Sequence, residues 1–188
     1  AFGAVPGLTI AAPMNEPELR NMMYTALGSG HPFMIRYPRG HGEGLPWRGE
    51  KFETLPVGRG RRLREGADVA LLTVGTVGNA AARAAGRAAA EGVSVAHYDL
   101  RFVKPLDEAL LDEVGRKFRR VVTVEDGSLR GGVGEAVAAF FNGRGYDVRV
   151  QRLGIGDEWV EHGTPGQLYA LCGYDEEGIL RALLDTRA

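Results

Sequence analysis

Cysteine and lysine are the scarcest chemistry in this sequence: Cys172 stands alone, and Lys51, Lys104 and Lys117 are the only lysines among 188 residues. One thiol excludes an internal disulfide and a cysteine-built metal cluster. A reducing cytoplasm is the compartment expected of such a chain. No apolar run approaches the ~20 residues that cross a bilayer; the longest are pieces such as Val69-Ala70-Leu71-Leu72. The start has neither the basic nor the apolar region of an export signal, so no membrane partner is expected. Charge of neither sign is in surplus, with 23 Lys+Arg against 24 Asp+Glu and a net charge of -1. General binding to a nucleic-acid backbone needs a basic excess, and no nucleic acid is expected here. His31, His41, His97 and His162 are scattered without metal-ligand spacing. No Ser-His-Asp order or nucleophile elbow appears.

Glycine is plentiful, with 28 residues, and 9 prolines join it between periodic segments, where both act as turn punctuation. The first forty-odd residues read strand, helix, strand. Leu8 to Ala12 is a short apolar run. Asn15 can cap a helix, with Glu18 placed for a capping box. Leu19, Met22, Met23, Ala26 and Leu27 have the spacing of one buried helix face, and Phe33 to Tyr37 is the next strand. Parallel strands joined through the helix are expected. A unit this small cannot bury enough surface alone. Residues 1–41 are therefore expected to be the end of a larger domain whose other strands lie outside this sequence. Residues 42–66 read as a linker, and the basic run Gly58 to Arg64 within them as a solvated linker or charged edge strand.

From residue 67 to 188 the pattern is regular α/β alternation. Strands are expected at 69–74, 93–98, 121–124 and 148–153. Helices are expected at 80–90, 107–118, 133–141, 165–171 and 176–184. This calls for a largely parallel sheet covered on both faces.

Two places can carry chemistry. Arg36-Tyr37-Pro38-Arg39-Gly40 follows a strand end, where ligands sit in open α/β sheets. Pro38 and Gly40 shape the turn, and the Arg39 guanidinium is a planar fork suited to phosphate or carboxylate; a surface arginine paired with an acid is the alternative. Arg130-Gly131-Gly132-Val133-Gly134 opens a helix after Glu125-Asp126-Gly127. It can attract an anion, but a tight strand-to-helix turn is the reading we prefer. Adjacent Glu125 and Asp126 face opposite ways on a strand and do not make an acid/base pair. His162 falls in a loop before a helix. No complete active site is present.

Taken together, Arg36-Tyr37-Pro38-Arg39-Gly40, the upstream Ala12-Pro13-Met14-Asn15-Glu16-Pro17-Glu18-Leu19 and the downstream Asp99-Leu100-Arg101-Phe102-Val103-Lys104-Pro105-Leu106-Asp107 resemble the C-terminal third of the 1-deoxy-D-xylulose-5-phosphate synthase family. Val124-Glu125-Asp126-Gly127, Gly131-Gly132-Val133-Gly134 and Glu161-His162-Gly163-Thr164-Pro165 follow in the family's order, although the Glu-Asp-Gly and Gly-Gly features belong to all transketolase-like C-terminal domains. The resemblance implies an α/β fold: the end of a thiamine-diphosphate-binding (pyrimidine) domain at 1–41, then a three-layer transketolase C-terminal-like domain with a largely parallel sheet at 67–188. It implies a transferase that uses thiamine diphosphate and Mg2+, both bound by parts of the enzyme absent from this chain. That enzyme condenses pyruvate with glyceraldehyde 3-phosphate, releases CO2, and feeds isoprenoid, thiamine and pyridoxal synthesis. It also implies a cytoplasmic homodimer completed by the remaining N-terminal part, with this chain inactive alone. Arg39 matches the family arginine that binds the acceptor phosphate; no catalytic, cofactor-binding or metal-binding position carries over. Members have a short Asp-x-x-x-Leu-Arg-like stretch where Ala1-Phe2 here runs directly into Gly3-Ala4-Val5-Pro6, so either a deletion or a chain break is expected within residues 1–5. The alternatives are the β subunit of a 2-oxoacid dehydrogenase and a non-enzymatic flavodoxin-like binding module.

Overall fold

The computed structural model describes residues 2–49 and 51–185. Two sheets form. In the smaller, β1 (Thr9–Ala11) pairs in parallel with β2 (Phe33–Ile35) through α1 (Glu16–Leu27), as the strand–helix–strand pattern predicts. Its third member is β6 (Phe102–Lys104), antiparallel to β1 and contributed from far along the chain.

The larger sheet has β3 (Arg61–Arg64), β4 (Val69–Val74), β5 (Val95–Asp99), β7 (Arg120–Ser128) and β8 (Arg149–Ile155), in the order β3-β5-β4-β7-β8. The last four in that order run parallel, and β3 closes one edge antiparallel. All six residues of β4 are buried, which is why the run is apolar on both faces except at Thr73 rather than alternating. Val69 and Leu71 pack under α2 (Val77–Ala90) and α6 (Glu176–Leu184). Ala70, Leu72 and Val74 face the opposite cluster, with α3 (Glu108–Lys117) and α4 (Val133–Gly143). Alanines 81, 84, 85 and 88 are fully buried, and their short side chains let α2 lie close to the sheet. A short α5 (Pro165–Leu171) precedes α6. The result is the three-layer, largely parallel α/β arrangement expected for the second part.

Three features refine the expectation. Of the two readings of the basic run the charged edge strand is the one found: Arg61–Arg64 belong to the larger sheet as β3, and Arg61 and Arg62 meet acids across its flank. Phe102–Lys104 is a strand that local pattern did not mark. The third is the buried face of α1. Glu18, Asn21, Met22 and Thr25 point inward, whereas Met23 is 56% and Leu27 88% exposed. Polar residues turn in because each has a partner. Thr25 Oγ1 accepts the Leu55 N–H at 2.8 Å, Asn21 Oδ1 accepts the Glu53 N–H at 3.3 Å, and Glu18 meets two arginines. Asn15 caps the helix as expected, accepting the Glu18 N–H at 3.2 Å.

Glu18 also ties the two parts together. Its carboxylate takes a bidentate pair from Arg101 Nε and Nη2 at 2.7 and 2.8 Å, and Arg61 Nη1 approaches Oε1 at 2.9 Å. Arg61 Nε donates to Asp99 at 3.1 Å, and Asp99 in turn accepts the Arg101 backbone N–H at 3.0 Å. Beneath this ring of charges, Ala11, Met22, Leu55 and Phe102 form a small buried cluster.

Candidate functional site

The C-terminal ends of β1, β2 and β4 open onto one cleft of about 420 Å³, the place where open α/β sheets hold ligands. Pro13, Met14 and Asn15 follow β1; Tyr37, Pro38 and Arg39 follow β2; Thr76 and Val77 follow β4. Asn79, in the first turn of α2, donates from Nδ2 to the Met14 carbonyl at 2.8 Å and to the Thr76 carbonyl at 3.0 Å. It thereby stitches the two parts together at the cleft floor. A β-carbon at Gly78 would sit 3.1 Å from both Met14 Sδ and Thr73 Oγ1, so α2 packs tightly here.

Two arginines line the cleft. Arg83 is committed to Glu176 at 2.8 Å. Arg39 is exposed and makes no hydrogen bond or ion pair with any described residue. The paired-arginine alternative for Arg39 therefore has no acid to supply it among the described residues. The opposite wall is aromatic. The Tyr169 and Tyr174 rings lie 4.9 Å apart, and their hydroxyls donate to the two oxygens of Asp126 at 3.2 and 2.9 Å. Burial, reinforced by the Asp126 charge, pushes both phenols above their ordinary range, so both remain protonated donors. A smaller cavity of about 140 Å³ lies between Arg36 and Asp126.

The second candidate place is structural. Glu125, buried within β7, accepts the Val133 and Gly134 N–H groups, each at 2.8 Å. A carboxylate of the chain itself thus occupies the anion position at the start of α4. A β-carbon at Gly132 would lie 2.2 Å from the Ser128 carbonyl and 2.6 Å from Glu125 Oε1. The glycines serve that tight turn, as preferred, and a nucleotide-binding module has no free cradle there. Glu125 and Asp126 diverge, one to α4 and one to the tyrosines.

The histidines are not brought together. His31 bonds Thr9 Oγ1 and the Ser29 carbonyl, His97 is buried against Thr73, His41 lines the cleft, and His162 is exposed. No group of three or more metal-ligating side chains exists among the described residues. Three of the four arginines of the basic run are paired, Arg59 with Asp107, Arg61 with Glu18 and Asp99, and Arg62 with Glu65 and Glu113. Sequence reasoning gave no role to Asp126, the two tyrosines or the Glu18–Arg101 pair; the Asp99 to Asp107 stretch was marked by resemblance alone.

The profile of the transketolase C-terminal domain matches residues 58–179. This chain belongs to that family. A solved member, a split-gene transketolase described as an inactive β4 tetramer, superimposes with a TM-score of 0.84 at 28% identity, over 97% of this chain and 58% of its own. The 1-deoxy-D-xylulose-5-phosphate synthase of Bacteroides fragilis is 54% identical over 97% of the chain, and that of Bacteroides thetaiotaomicron 53% over 96%. The chain spans 28% of the length of each of these two relatives. The matched residues begin at 58, so Gly58 to Arg64 and β3 fall within the match.

Proposed function

We propose that the chain is the C-terminal portion of a 1-deoxy-D-xylulose-5-phosphate synthase. The complete enzyme condenses pyruvate with glyceraldehyde 3-phosphate, releases CO2 and makes the ketose phosphate that supplies isoprenoid, thiamine and pyridoxal synthesis. Thiamine diphosphate supplies the carbanion chemistry when bound. The described residues fit neither that cofactor nor its Mg2+: they hold no metal cluster, and the anion position at α4 is filled by Glu125. On this proposal both groups are held by parts of the enzyme outside these residues. High identity to named synthases across almost the whole chain supports the assignment.

Within this reading the chain's own contribution is Arg39, which binds the phosphate of the aldehyde acceptor. The observation that carries it is an unpaired guanidinium at a convergence of three strand ends. A cation there raises the local concentration of a dianion and fixes its orientation through paired N–H donors. The remaining N-terminal part is the proposed partner. It covers the apolar side of α1, where Met23, Tyr24 and Leu27 are exposed beside Phe52, and the free edge of β2. The assembled enzyme is proposed to be a cytoplasmic homodimer.

The test is a turnover assay on the complete polypeptide with pyruvate, glyceraldehyde 3-phosphate, thiamine diphosphate and Mg2+, following CO2 and the ketose phosphate. Product is expected from the complete polypeptide and none from residues 1–188 alone. Saturable thiamine diphosphate binding by the 188 residues alone would overturn the reading.

A further inference from the structure

Arg39 sits on a stretch, residues 36–49, with no regular secondary structure. A binding arginine on an unsupported loop would lose its geometry to chain entropy. What holds this loop is α1. Glu16, the first residue of that helix, accepts the Gly44 N–H on Oε1 at 2.7 Å. Its own amide and those of Gly44, Glu43 and Leu45 hold its carboxyl below the usual range. One helical turn on, Arg20 donates to the Trp47 carbonyl at 2.6 Å and the Lys51 carbonyl at 2.9 Å. The loop is thus fastened to α1 by an acceptor for its amides and, one turn later, a donor for its carbonyls.

The glycines of the loop fit this purpose. Gly40 and Gly44 have φ of +145° and +75°, which L side chains rarely adopt. Gly42 has a different reason: a β-carbon there would lie 2.2 Å from Glu16 Oε1 and 2.5 Å from Glu16 Cδ. The backbone passes so close to the carboxylate that a methyl group would evict it.

We propose that Glu16 is a positioning residue for acceptor recognition: by clamping residues 42–45 it sets the place of Arg39 across the cleft. This rests on the phosphate reading of Arg39 and goes beyond it, because Glu16 acts through the loop and needs no contact with substrate.

The test uses the complete enzyme. Glu16→Ala is expected to raise amide hydrogen exchange at residues 43–45 while the later turns of α1 keep their protection. It should raise KM for glyceraldehyde 3-phosphate by roughly tenfold, with a clearly smaller effect on unphosphorylated glyceraldehyde and on pyruvate. Glu16→Gln, which keeps an acceptor oxygen, should recover part of the loss. Gly42→Ala should reproduce the selective loss in the native background and add little to Glu16→Ala, since the carboxylate it evicts is already gone. Unchanged exchange at 43–45 overturns the inference. So does a loosened loop with an unchanged ratio of the two aldehydes while Arg39→Ala shifts that ratio, in which case the phosphate reading stands without Glu16. If Arg39→Ala itself fails to distinguish the aldehydes, the phosphate reading is lost and the role of Glu16 in acceptor recognition goes with it.

Discussion

Arg101→Ala should cost this protein far more than the loss of an ordinary surface arginine. Arg101 is 14% exposed at its side chain and Glu18 6%. Glu18 takes the guanidiniums of Arg61 and Arg101, and Asp99 takes the Arg61 guanidinium and the Arg101 backbone N–H, so two acids balance two bases and each acid has two donating partners. Deleting Arg101 leaves two buried anions facing one cation. Removing one partner of a buried pair costs about 3–5 kcal/mol. Arg61 keeps its contact with Glu18, so the lower end, about 3 kcal/mol, is expected. The backbone supplies a second, independent figure. Arg101 has φ +59°, a region that costs an L residue roughly 1–2 kcal/mol, of which the greater unfolded freedom of glycine returns about 0.4–1 kcal/mol. Arg101→Gly should therefore be the milder of the two, by about 0.5 kcal/mol or somewhat more. The assay is a double-mutant cycle, Arg101→Ala and Glu18→Ala, read by equilibrium urea unfolding with the m-value checked. The exposed pair Arg144–Glu108, 50% and 65% exposed, is the control and should couple by less than about 1 kcal/mol. A Glu18–Arg101 coupling no larger than that control would refute the idea that this contact holds the two parts together. Because α1 carries both Glu18 and the anchor of the Arg39 loop, the same variants should also raise the acceptor KM of the complete enzyme.

Three further outcomes are expected. Arg39→Ala in the complete enzyme should lower kcat/KM for glyceraldehyde 3-phosphate by roughly one to two powers of ten, the worth of a hydrogen bond to a charged group at about 1.5–3 kcal/mol, with Arg39→Lys recovering part of it; equal damage with unphosphorylated glyceraldehyde would make Arg39 structural. Gly132→Ala should destabilise by about 1–3 kcal/mol, since its β-carbon meets a backbone carbonyl at 2.2 Å that cannot swing aside; an unchanged unfolding midpoint would show that the turn has room. Burial holds the Asp99 carboxyl up at about 6 against 3.8, and pushes the His97 imidazole down to about 4 against 6.5. The Asp99 contribution is full below pH 3.8 and lost as pH rises through about 6. The His97 contribution is full above pH 6.5 and lost as pH falls through about 4. Each is worth roughly 3 kcal/mol, so they oppose and nearly cancel between pH 4 and 6. Asp99→Asn should then make stability fall on acidification across that window, and His97→Gln should make it rise. Parallel profiles for the native chain and both variants would contradict this.

What could be read from the sequence, and what could not, divides along the reach of the interactions involved. The strands at 69–74 and 121–124 were legible because a parallel strand buried on both faces is nearly all apolar, here broken only by Thr73 and Thr123, and the turn at Gly131-Gly132 because a tight strand-to-helix junction leaves no room for side chains. The place of Arg39 beyond a strand end was legible because Pro38 stops β2 and Gly40 turns the chain. β6 was not: its three residues are a strand only because β1 lies beside them, and strand propensity is largely a property of the neighbour. The face of α1 fails in a more informative way. Apolar spacing pointed to Leu19, Met22, Met23, Ala26 and Leu27, but a hydrophobic pattern cannot register that Glu18, Asn21 and Thr25 have partners at Arg101, Glu53 and Leu55. Glu16 escaped for the same reason, since its tie to Gly44 spans a helix, a strand and a loop. The apolar residues that the pattern found are nonetheless real. Met23 and Leu27 lie with Tyr24 on the side of the helix roughly 150° from the polar residues, and all three are exposed. One helix thus carries two working faces: a polar one that holds residues 53–55 and, through Glu18, the transketolase C-terminal domain, and an apolar one that, on the proposed function, is completed by the rest of the pyrimidine domain. A helix under both demands has no single hydrophobic period for a sequence pattern to find.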